Sequence, residues 1–303
     1  MTSLLAVGEE VAETLRGAGP VVALETSVIG QGLPSPQNHE CLERMSKAIR
    51  SVGAVPAWTG VLDGRVVVGL SDRELETFAE PGRAEKVARR DLPTACAGGG
   101  PGATTVSATI WAAARAGIHV GATGGIGGVH PGDHPDVSAD LVELSRTPGL
   151  LVCSGPKSIV DPVATAERLE ELGVTVVGFG VDRLPGFLAA QTPVEVEHRV
   201  DSAQEAAALL DASLTLETRS TVVLCNPISA AHAMGADEVA AATLRCEERA
   251  ERDGVHGRDV TPYLLACLAG ETGGRSLEAN LELLEANASL AGVIAVAAAT
   301  GAS

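Results

Sequence analysis

Short runs of β-branched residues alternate along this chain with longer segments that have the apolar periodicity of helices. The predicted strands are 21–25, 117–123, 150–154, 174–180 and 220–226. The predicted helices are 37–52, a segment from about Thr104, a segment from Ser138, and 159–172. Strands that alternate with helices in this way favour a parallel sheet covered on both faces. The sequence therefore predicts an α/β fold with a mostly parallel central sheet flanked by helices.

Two further features refine this prediction. Asp63-Gly64 lies between two strand-like runs in "GVLDGRVVVGL", which is a strong signal for a tight antiparallel hairpin, so the sheet is expected to be mixed. After Asn226 no strand is predicted, and the rest of the chain is expected to form a helical C-terminal part. No linker or repeat divides the chain, and we expect residues 1–303 to form a single domain.

The overall charge and the aromatic content argue against several partners. The formal net charge is -17 and aromatic residues make up only 2% of the chain. An acidic chain with few stacking side chains is a poor match for nucleic acid polymers or anionic membranes. The N-terminal segment lacks a basic start, and "SLAGVIAVAAATGAS" is too short to span a bilayer. We expect a cytoplasmic protein with no membrane or nucleic acid partner.

The cysteines carry no recognisable metal or redox spacing. None of the six forms a C-x-x-C pair or stands at zinc-finger distance from a histidine. They are predicted to be reduced and mostly buried. The six are Cys41, Cys96, Cys153, Cys225, Cys246 and Cys267.

Reactive side chains follow several predicted strands, where α/β proteins bind their ligands. Glu25 closes the first strand, and a carboxylate ending a buried strand is a candidate acid or base. A glutamate that only bonds loop amides is an equally good interpretation. Lys157 follows the strand at 150–154 in a chain with three lysines and nineteen arginines, and only lysine can become a neutral amine nucleophile. A surface lysine in a turn, with lysine made rare by coding bias, is the alternative.

Two glycine-rich segments offer a possible anion site and a possible metal site. Lys86 and Arg89-Arg90 precede "GGGPG", which favours a small phosphate over a dinucleotide, although such a loop can also be a simple flexible turn. After "GATGGIGG" come imidazoles and carboxylates that suit a divalent ion with oxygen ligands. Some of these residues could instead cap a helix that starts near Ser138. The residues of this second group are His130, Asp133, His134, Asp136 and Asp140.

Taken in order, several long segments resemble the pseudouridine-5'-phosphate glycosidase family, which includes the indigoidine-cluster A proteins. The resemblance covers nearly the whole chain at close to the family's spacing. The segments that carry it are "ALETSVIGQGLPSPQN", "KVARRDLP", "GATTVSATIWAAARAGIHVGATGGIGGVH", "DVSADLVELSRTPGLLVCSGPKSIVD" and "VTPYLLACLAGETGGRSLEANLELLEANA".

The resemblance implies a homotrimeric enzyme that reversibly cleaves the carbon-carbon bond of pseudouridine 5'-phosphate to give uracil and ribose 5-phosphate. It implies Lys157 as the nucleophile that forms a Schiff base, Glu25 as the proton donor and Asp136 as the ligand of a divalent metal, typically Mn²⁺. The implied substrate-binding residues are Lys86, Val106, His130, Ser138, Ala139, Asp140 and Asn280.

The chain departs from the family pattern in its first motif. The family commonly reads Glu-Ser-Thr followed by His-Gly-Met-Pro, whereas this chain has Glu25-Thr26-Ser27 and then Gln31 in place of the histidine. The loop between His130 and Asp136 is also slightly shorter, so the assignment of Asp136 rests on the "SADL" segment that follows. Two alternatives are a glycosidase of the same mechanism acting on another C-nucleoside phosphate, and a non-catalytic protein that binds sugar phosphates.

Overall fold

The strands form one sheet that is mostly parallel. The structure is a computed structural model that describes residues 3–132, 136–255, 257 and 260–301. The strands within these ranges are β1 (Leu5–Val7), β2 (Val21–Glu25), β3 (Val55–Leu62), β4 (Arg65–Val68), β5 (Glu85–Val87), β6 (Gly102–Thr104), β7 (Val120–Ala122), β8 (Gly149–Cys153), β9 (Val176–Phe179), β10 (His198–Val200) and β11 (Thr221–Cys225). Their order is β1-β4-β3-β2-β7-β8-β11-β9-β10, with β6 paired to β3 and β5 paired to β6.

Helices cover both faces of this sheet. They are α1 (Glu9–Arg16), α2 (Gln37–Ser51), α3 (Asp72–Ala79), α4 (Leu92–Gly98), α5 (Val106–Ala116), α6 (Ala139–Leu144), α7 (Pro162–Glu171), α8 (Ala203–Thr215), α9 (Ala236–Arg252), α10 (Val260–Glu271) and α11 (Arg275–Gly301). A single π-helical turn, Val28–Gly32, follows β2. The predicted α/β class with a helical C-terminal part is confirmed.

The predicted hairpin accounts for the antiparallel part of the sheet. β3 and β4 pair antiparallel, and the two residues between them, Asp63 and Gly64, have φ angles of 49° and 73°. Both angles are left-handed, as a two-residue type I′ turn requires, and Asp-Gly tolerates this conformation at low cost. β6 also pairs antiparallel with β3, while the central strands β2, β7, β8 and β11 are parallel neighbours.

Alternate residues of the buried strands pack on opposite faces, as the period of a strand dictates. In β8, Leu150 and Val152 belong to the apolar cluster that includes α2, α8 and α11. Leu151 and Cys153 belong to the cluster with α5, α6 and α7 on the other face. The strand is apolar throughout because both of its faces are covered.

The boundaries of several predicted elements were wrong by a few residues. The strand predicted at 117–123 is only β7, because Gly117 ends α5 in a left-handed conformation. The helix predicted from Ile159 starts at Pro162, where Asp161 accepts hydrogen bonds from the first free N–H groups. Lys157 therefore lies in a turn well before α7 and not at its first residue.

The prediction that all cysteines are reduced was wrong for one pair. Cys246 of α9 and Cys267 of α10 form a disulfide, with their Cα atoms 5.7 Å apart. The two helices pack against each other as an antiparallel pair, which brings together residues separated by 21 positions in the sequence. Spacing alone cannot reveal such a pairing. Cys41, Cys96, Cys153 and Cys225 are free, and all but Cys96 are buried.

The apolar segment "SLAGVIAVAAATGAS", which was expected to be too short to span a bilayer, forms, as far as Gly301, the end of the longer helix α11. By length and composition alone it could cross a membrane. In this fold it packs against α2, α8 and the strands β7 and β8, with Leu283, Leu284 and Ala288 almost fully buried. It therefore serves as a core helix of the α/β fold.

Candidate active site

A cavity of about 280 Å³ opens at the carboxyl edge of the central strands. Its residues come from the ends of β2, β7 and β8, from the strand β5, from the loop before α6 and from the C-terminal helices. Nine of the ten site residues predicted from the sequence line it: Glu25, Lys86, His130, Asp136, Ser138, Ala139, Asp140, Lys157 and Asn280. Val106 does not. It is buried at the start of α5, and its neighbour Thr105 lines the cavity instead.

Glu25 is the last residue of β2 and only 4% exposed. Its Oε2 accepts a hydrogen bond from the Ser27 hydroxyl at 2.5 Å, and its Oε1 accepts one from the Thr123 hydroxyl. A buried carboxyl group is costly unless its oxygens are paired, and both oxygens of Glu25 are paired here. Glu25 is thus a buried acid with a fixed orientation, open to the cavity.

Lys157 reaches the same cavity from the turn after β8. Its backbone N–H donates to the Ile126 carbonyl at 3.0 Å, and Pro156 forms a parallel bridge with Ile126. This pairing continues the sheet beyond the regular ends of β7 and β8. The backbone that carries Lys157 is therefore held by its neighbour.

Lys86 lies in the short strand β5, which pairs with β6. Burial lowers the pKa of Lys86, and the nearby charge of Lys157 lowers it further, while Asp140, Glu25 and Asp136 act in the opposite direction. Two lysines that repel each other inside one cavity favour an anionic ligand.

The two arginines that follow Lys86 have different contacts. Arg89 pairs with the buried Glu143 at 2.6 Å and lies over the ring of Trp111, whereas Arg90 lines the cavity. The "GGGPG" loop predicted as an anion site does not contribute: Gly98, Gly99 and Gly100 are exposed and outside the cavity.

Asp140 is a buried carboxylate held by backbone donors from two directions. Its Oδ1 accepts from the Ser107 N–H at 3.0 Å and its Oδ2 from the Gly127 N–H at 3.2 Å. Ser138 caps α6 by accepting from the Asp140 N–H. A Cβ on Gly127 would lie 2.2 Å from the Ser138 Oγ, so this position requires glycine. The helix-cap interpretation is therefore correct for Ser138, and Asp140 also fixes the glycine loop that lines the cavity.

His130 and Asp136 stand on either side of residues 133–135. The His130 N–H donates to the Asp136 carbonyl at 2.9 Å, and burial lowers the pKa of His130. Asp133 and His134, which the sequence analysis grouped with them, lie outside the described residues.

The described residues do not form a closed metal site. Within the described ranges no group of three or more histidine, cysteine, aspartate or glutamate side chains could hold a metal ion. The exposed carboxylate of Asp136 faces the cavity. A single carboxylate fits a hard divalent ion that keeps most of its water ligands, as Mg²⁺ and Mn²⁺ commonly do, and does not fit a tetrahedral zinc site.

The C-terminal helices complete the cavity with a largely apolar surface. Thr261, Pro262 and Leu265 of α10, and Asn280 and Leu284 of α11, line it. Phe187 adds an aromatic ring from the loop after β9 with a φ angle of 64°, a strained conformation for a bulky residue. Nothing in its local sequence signals this role.

One asparagine of α11 connects three strand ends. Asn287 is fully buried, and its Nδ2 donates to the Thr123 carbonyl at 2.9 Å and to the Ser154 Oγ at 3.0 Å. Its Oδ1 accepts from the Asn226 Nδ2 at 3.0 Å. Thr123, Ser154 and Asn226 directly follow β7, β8 and β11.

Sequence reasoning missed several of these residues. Thr123 could have been found, because it ends the predicted strand 117–123 as Glu25 ends the predicted strand 21–25. Gln31 was noted only as a departure from the family pattern. It lines the cavity, and its Nε2 donates to the Ala84 carbonyl at 2.8 Å, two residues before Lys86.

The fold and the cavity define an α/β enzyme whose charged residues gather at the carboxyl edge of a mostly parallel sheet. The chain belongs to the family described as indigoidine synthase A like protein, whose model matches residues 10–297.

Named relatives cover nearly the same length. A protein of Gemmatimonas aurantiaca named pseudouridine-5'-phosphate glycosidase is 48% identical over 95% of this chain and 94% of its own. One of the same name from Symbiobacterium thermophilum is 46% identical over 99% of this chain and all of its own.

Solved structures share the fold. The prealnumycin C-glycosynthase AlnA, in complex with ribulose 5-phosphate, has a TM-score of 0.91 and 39% identity, covering 100% of this chain and 99% of its own. An indigoidine synthase A-like protein from Thermotoga maritima has a TM-score of 0.89 and 38% identity, covering 98% of this chain and 97% of its own.

Proposed function

We propose that this protein is a pseudouridine-5'-phosphate glycosidase, which reversibly cleaves the C1'–C5 bond to give uracil and ribose 5-phosphate. The observation that carries the proposal is the convergence of Glu25, Lys157 and Lys86 on one cavity, each from a different strand end or strand. The names of the relatives support the same activity.

The bond to be broken explains the need for an amine. In pseudouridine the base is attached through carbon, and expelling it directly from the sugar would leave an unstabilised carbanion. Covalent catalysis by an amine divides such a step into easier ones. An arginine stays protonated and cannot act in this way.

In the first step the neutral Nζ of Lys157 attacks C1' of the ribose. The C1'–O4' bond breaks, and Glu25 donates its carboxyl proton to O4', which becomes a hydroxyl group. The product is an open-chain adduct in which C1' bears both the lysine nitrogen and C5 of uracil. Glu25 is left as a carboxylate that accepts the hydroxyl groups of Ser27 and Thr123.

In the second step the lysine nitrogen loses a proton and its electron pair forms a C=N bond to C1'. The C1'–C5 bond breaks, its electron pair goes to C5, and C5 takes up a proton in place of the sugar. Water then adds to the iminium, which releases the Lys157 amine and ribose 5-phosphate, and the proton set free returns to Glu25. Atoms and protons balance over the cycle.

The remaining residues bind the substrate. Lys86 attracts the phosphate, and the Ser138-Ala139-Asp140 segment contacts the substrate together with the backbone around Val106, where Thr105 lines the cavity. His130 and Asn280 provide further contacts to the phosphate or the uracil. Asp136 would hold a divalent metal, most simply Mn²⁺, which supplies positive charge that polarises substrate oxygens. We further propose that the protein is a homotrimer, as the family resemblance implies, and that it is located in the cytoplasm, as its composition indicates.

Borohydride trapping with ribose 5-phosphate, followed by peptide mapping, tests the reaction class without assuming the base. The expected result is a stable adduct on Lys157 in the protein supplied with Mn²⁺. A protein that releases uracil from pseudouridine 5'-phosphate but forms no adduct on Lys157 would contradict the Schiff-base mechanism.

A second candidate is C-glycoside chemistry on another aglycone. The observations that favour it are the apolar surface formed by Leu265, Leu284 and Phe187, and the likeness to the prealnumycin C-glycosynthase. Trapping of ribose 5-phosphate on Lys157 without any uracil release from pseudouridine 5'-phosphate would support this candidate over the first.

A further inference from the structure

Two hydroxyl groups hold Glu25, and the mechanism above gives neither of them a role before the proton is transferred. Ser27 Oγ donates to Oε2 at 2.5 Å, and Thr123 Oγ1 donates to Oε1. Ser27 and Thr123 both line the cavity. Each oxygen of the carboxyl group thus has its own hydroxyl partner.

The two hydroxyl groups differ in their freedom to turn. Thr123 is 2% exposed, its N–H donates to the Val152 carbonyl at 3.0 Å, and its carbonyl accepts from Asn287. Ser27 is only half-buried and lies at the start of the π-helical turn, facing the cavity. A hydroxyl group can donate one hydrogen bond and accept two, so it can meet either a carboxylate or a protonated carboxyl group.

We propose that Ser27 and Thr123 are positioning residues that determine which oxygen of Glu25 carries the transferred proton. Thr123 donates to Oε1 in both protonation states and fixes the plane of the carboxyl group. Ser27 accepts the Oε2–H group while Glu25 is protonated and turns to donate once the proton has moved to O4'. This inference rests on the proposed function, because it assigns the oxygen used in its first step.

The neighbouring hydroxyl groups of Thr26 and Ser27 in the first motif bind different partners. The Thr26 hydroxyl points away from Glu25: Thr26 is fully buried, its Oγ1 donates to the Thr59 carbonyl at 2.7 Å and accepts from the Thr104 N–H at 3.0 Å. Thr26 therefore joins β3 and β6 to the end of β2, while Ser27 serves the acid. Thr26→Val removes a nearby hydroxyl group that does not contact Glu25, and is the matched control.

Infrared spectroscopy of the protonated carboxyl C=O band tests the positioning role directly. The Glu25→Gln spectrum is subtracted from that of each protein so that only the Glu25 band remains. A carboxyl C=O band lies at higher wavenumber when the group loses a hydrogen-bond partner, so Ser27→Ala and Thr123→Val are expected to move the band upward. Ser27→Thr and Thr123→Ser keep the hydroxyl group and should restore the wild-type band position.

The rate of adduct formation between Lys157 and ribose 5-phosphate provides the second measurement. Ser27→Ala and Thr123→Val should slow it about 10-fold or more with little change in the half-saturating sugar phosphate concentration, because they disturb proton transfer and not binding. Thr26→Val should lower the melting temperature while leaving the position of the Glu25 carboxyl band unchanged.

Two outcomes overturn the inference and differ in what they say of the proposed function. Folded Ser27→Ala and Thr123→Val proteins with an unchanged carboxyl band position, or with an unchanged rate of adduct formation, refute the positioning role and leave the proposed glycosidase activity standing. A wild-type protein that neither forms the adduct nor releases uracil refutes the proposed function together with this inference.

Discussion

The cavity is built from two regions that are held in place by different forces. Its floor consists of Glu25, Lys86, Thr123 and Lys157, which lie on or shortly after strands, and of Asp140 in the first turn of α6. Hydrogen bonds to backbone and hydroxyl groups fix this floor. Its wall consists of the residues contributed by α10 and α11, which are held by apolar packing and, in α10, by the disulfide to α9.

The difference indicates that the floor holds the residues expected to react with the substrate, and that the wall holds the residues expected to determine which base is bound. Strand ends repeat the same backbone geometry whatever side chains they carry, so a floor built on them holds reacting groups rigidly. Side chains of the helical wall can be substituted without breaking the hydrogen bonds between the strands of the sheet. We expect changes in the floor to affect turnover and changes in the wall to affect which base is accepted.

The largest expected effect comes from the floor. Lys157→Arg should lower uracil release by about 10³-fold or more, because the amine nucleophile is lost while the positive charge remains. Turnover assays with pseudouridine 5'-phosphate measure this. Lys47→Arg, on the exposed face of α2, is the matched control and should retain wild-type turnover.

The next largest effect is expected at Asn287, where the wall helix α11 forms hydrogen bonds with the strand ends beneath it. Asn287→Leu keeps a branched side chain with the same number of heavy atoms but leaves polar groups at three strand ends without partners, and should lower the free energy of unfolding by about 3 kcal/mol. Chemical denaturation measures the loss. Ala286→Leu, at an exposed position beside it, should change stability little, and equal losses in the two variants would argue against the role of the buried amide.

A smaller effect is expected from the wall alone. Leu265→Ala should raise KM for pseudouridine 5'-phosphate by about 10-fold, since apolar contact with the base is lost, while trapping of ribose 5-phosphate on Lys157 continues at the wild-type rate. If Leu265→Ala also slowed the trapping of ribose 5-phosphate on Lys157, the distinction between floor and wall would be wrong. Leu244→Ala on the exposed surface of α9 controls for general effects on stability.

The smallest effect is expected from the charge of Lys86, which destabilises the folded protein. Burial and Lys157 lower the pKa of Lys86 below the ordinary lysine value of 10.5. The folded protein therefore binds this proton less well than the unfolded chain does, and protonated Lys86 opposes folding. Lys86→Met should raise the melting temperature at neutral pH, with a gain that disappears above about pH 10.5. An equal gain at every pH would mean that apolar packing and not the charge is responsible.

Much of the floor could be predicted from sequence because it depends on local patterns. Apolar runs that end on Glu25 or lead to Lys157 identify strand ends, and parallel strand ends share one edge. The wall could not be predicted in this way. The places of Leu265 and of the disulfide depend on how α10 packs against its neighbours, and Phe187 comes from a loop without a local signal. An apolar residue carries no signal that separates a cavity from a core.

The dependence of three strand ends on Asn287 has a consequence for the order in which the protein can mature. Every strand of the sheet is translated before α11, yet the carbonyl of Thr123 and the side chains of Ser154 and Asn226 meet their common partner only in that helix. A nascent chain that already contains Glu25 and Lys157 therefore still lacks the amide that joins the ends of β7, β8 and β11. These three strand ends gain their common partner only when α11 docks, after every strand of the sheet has been synthesised.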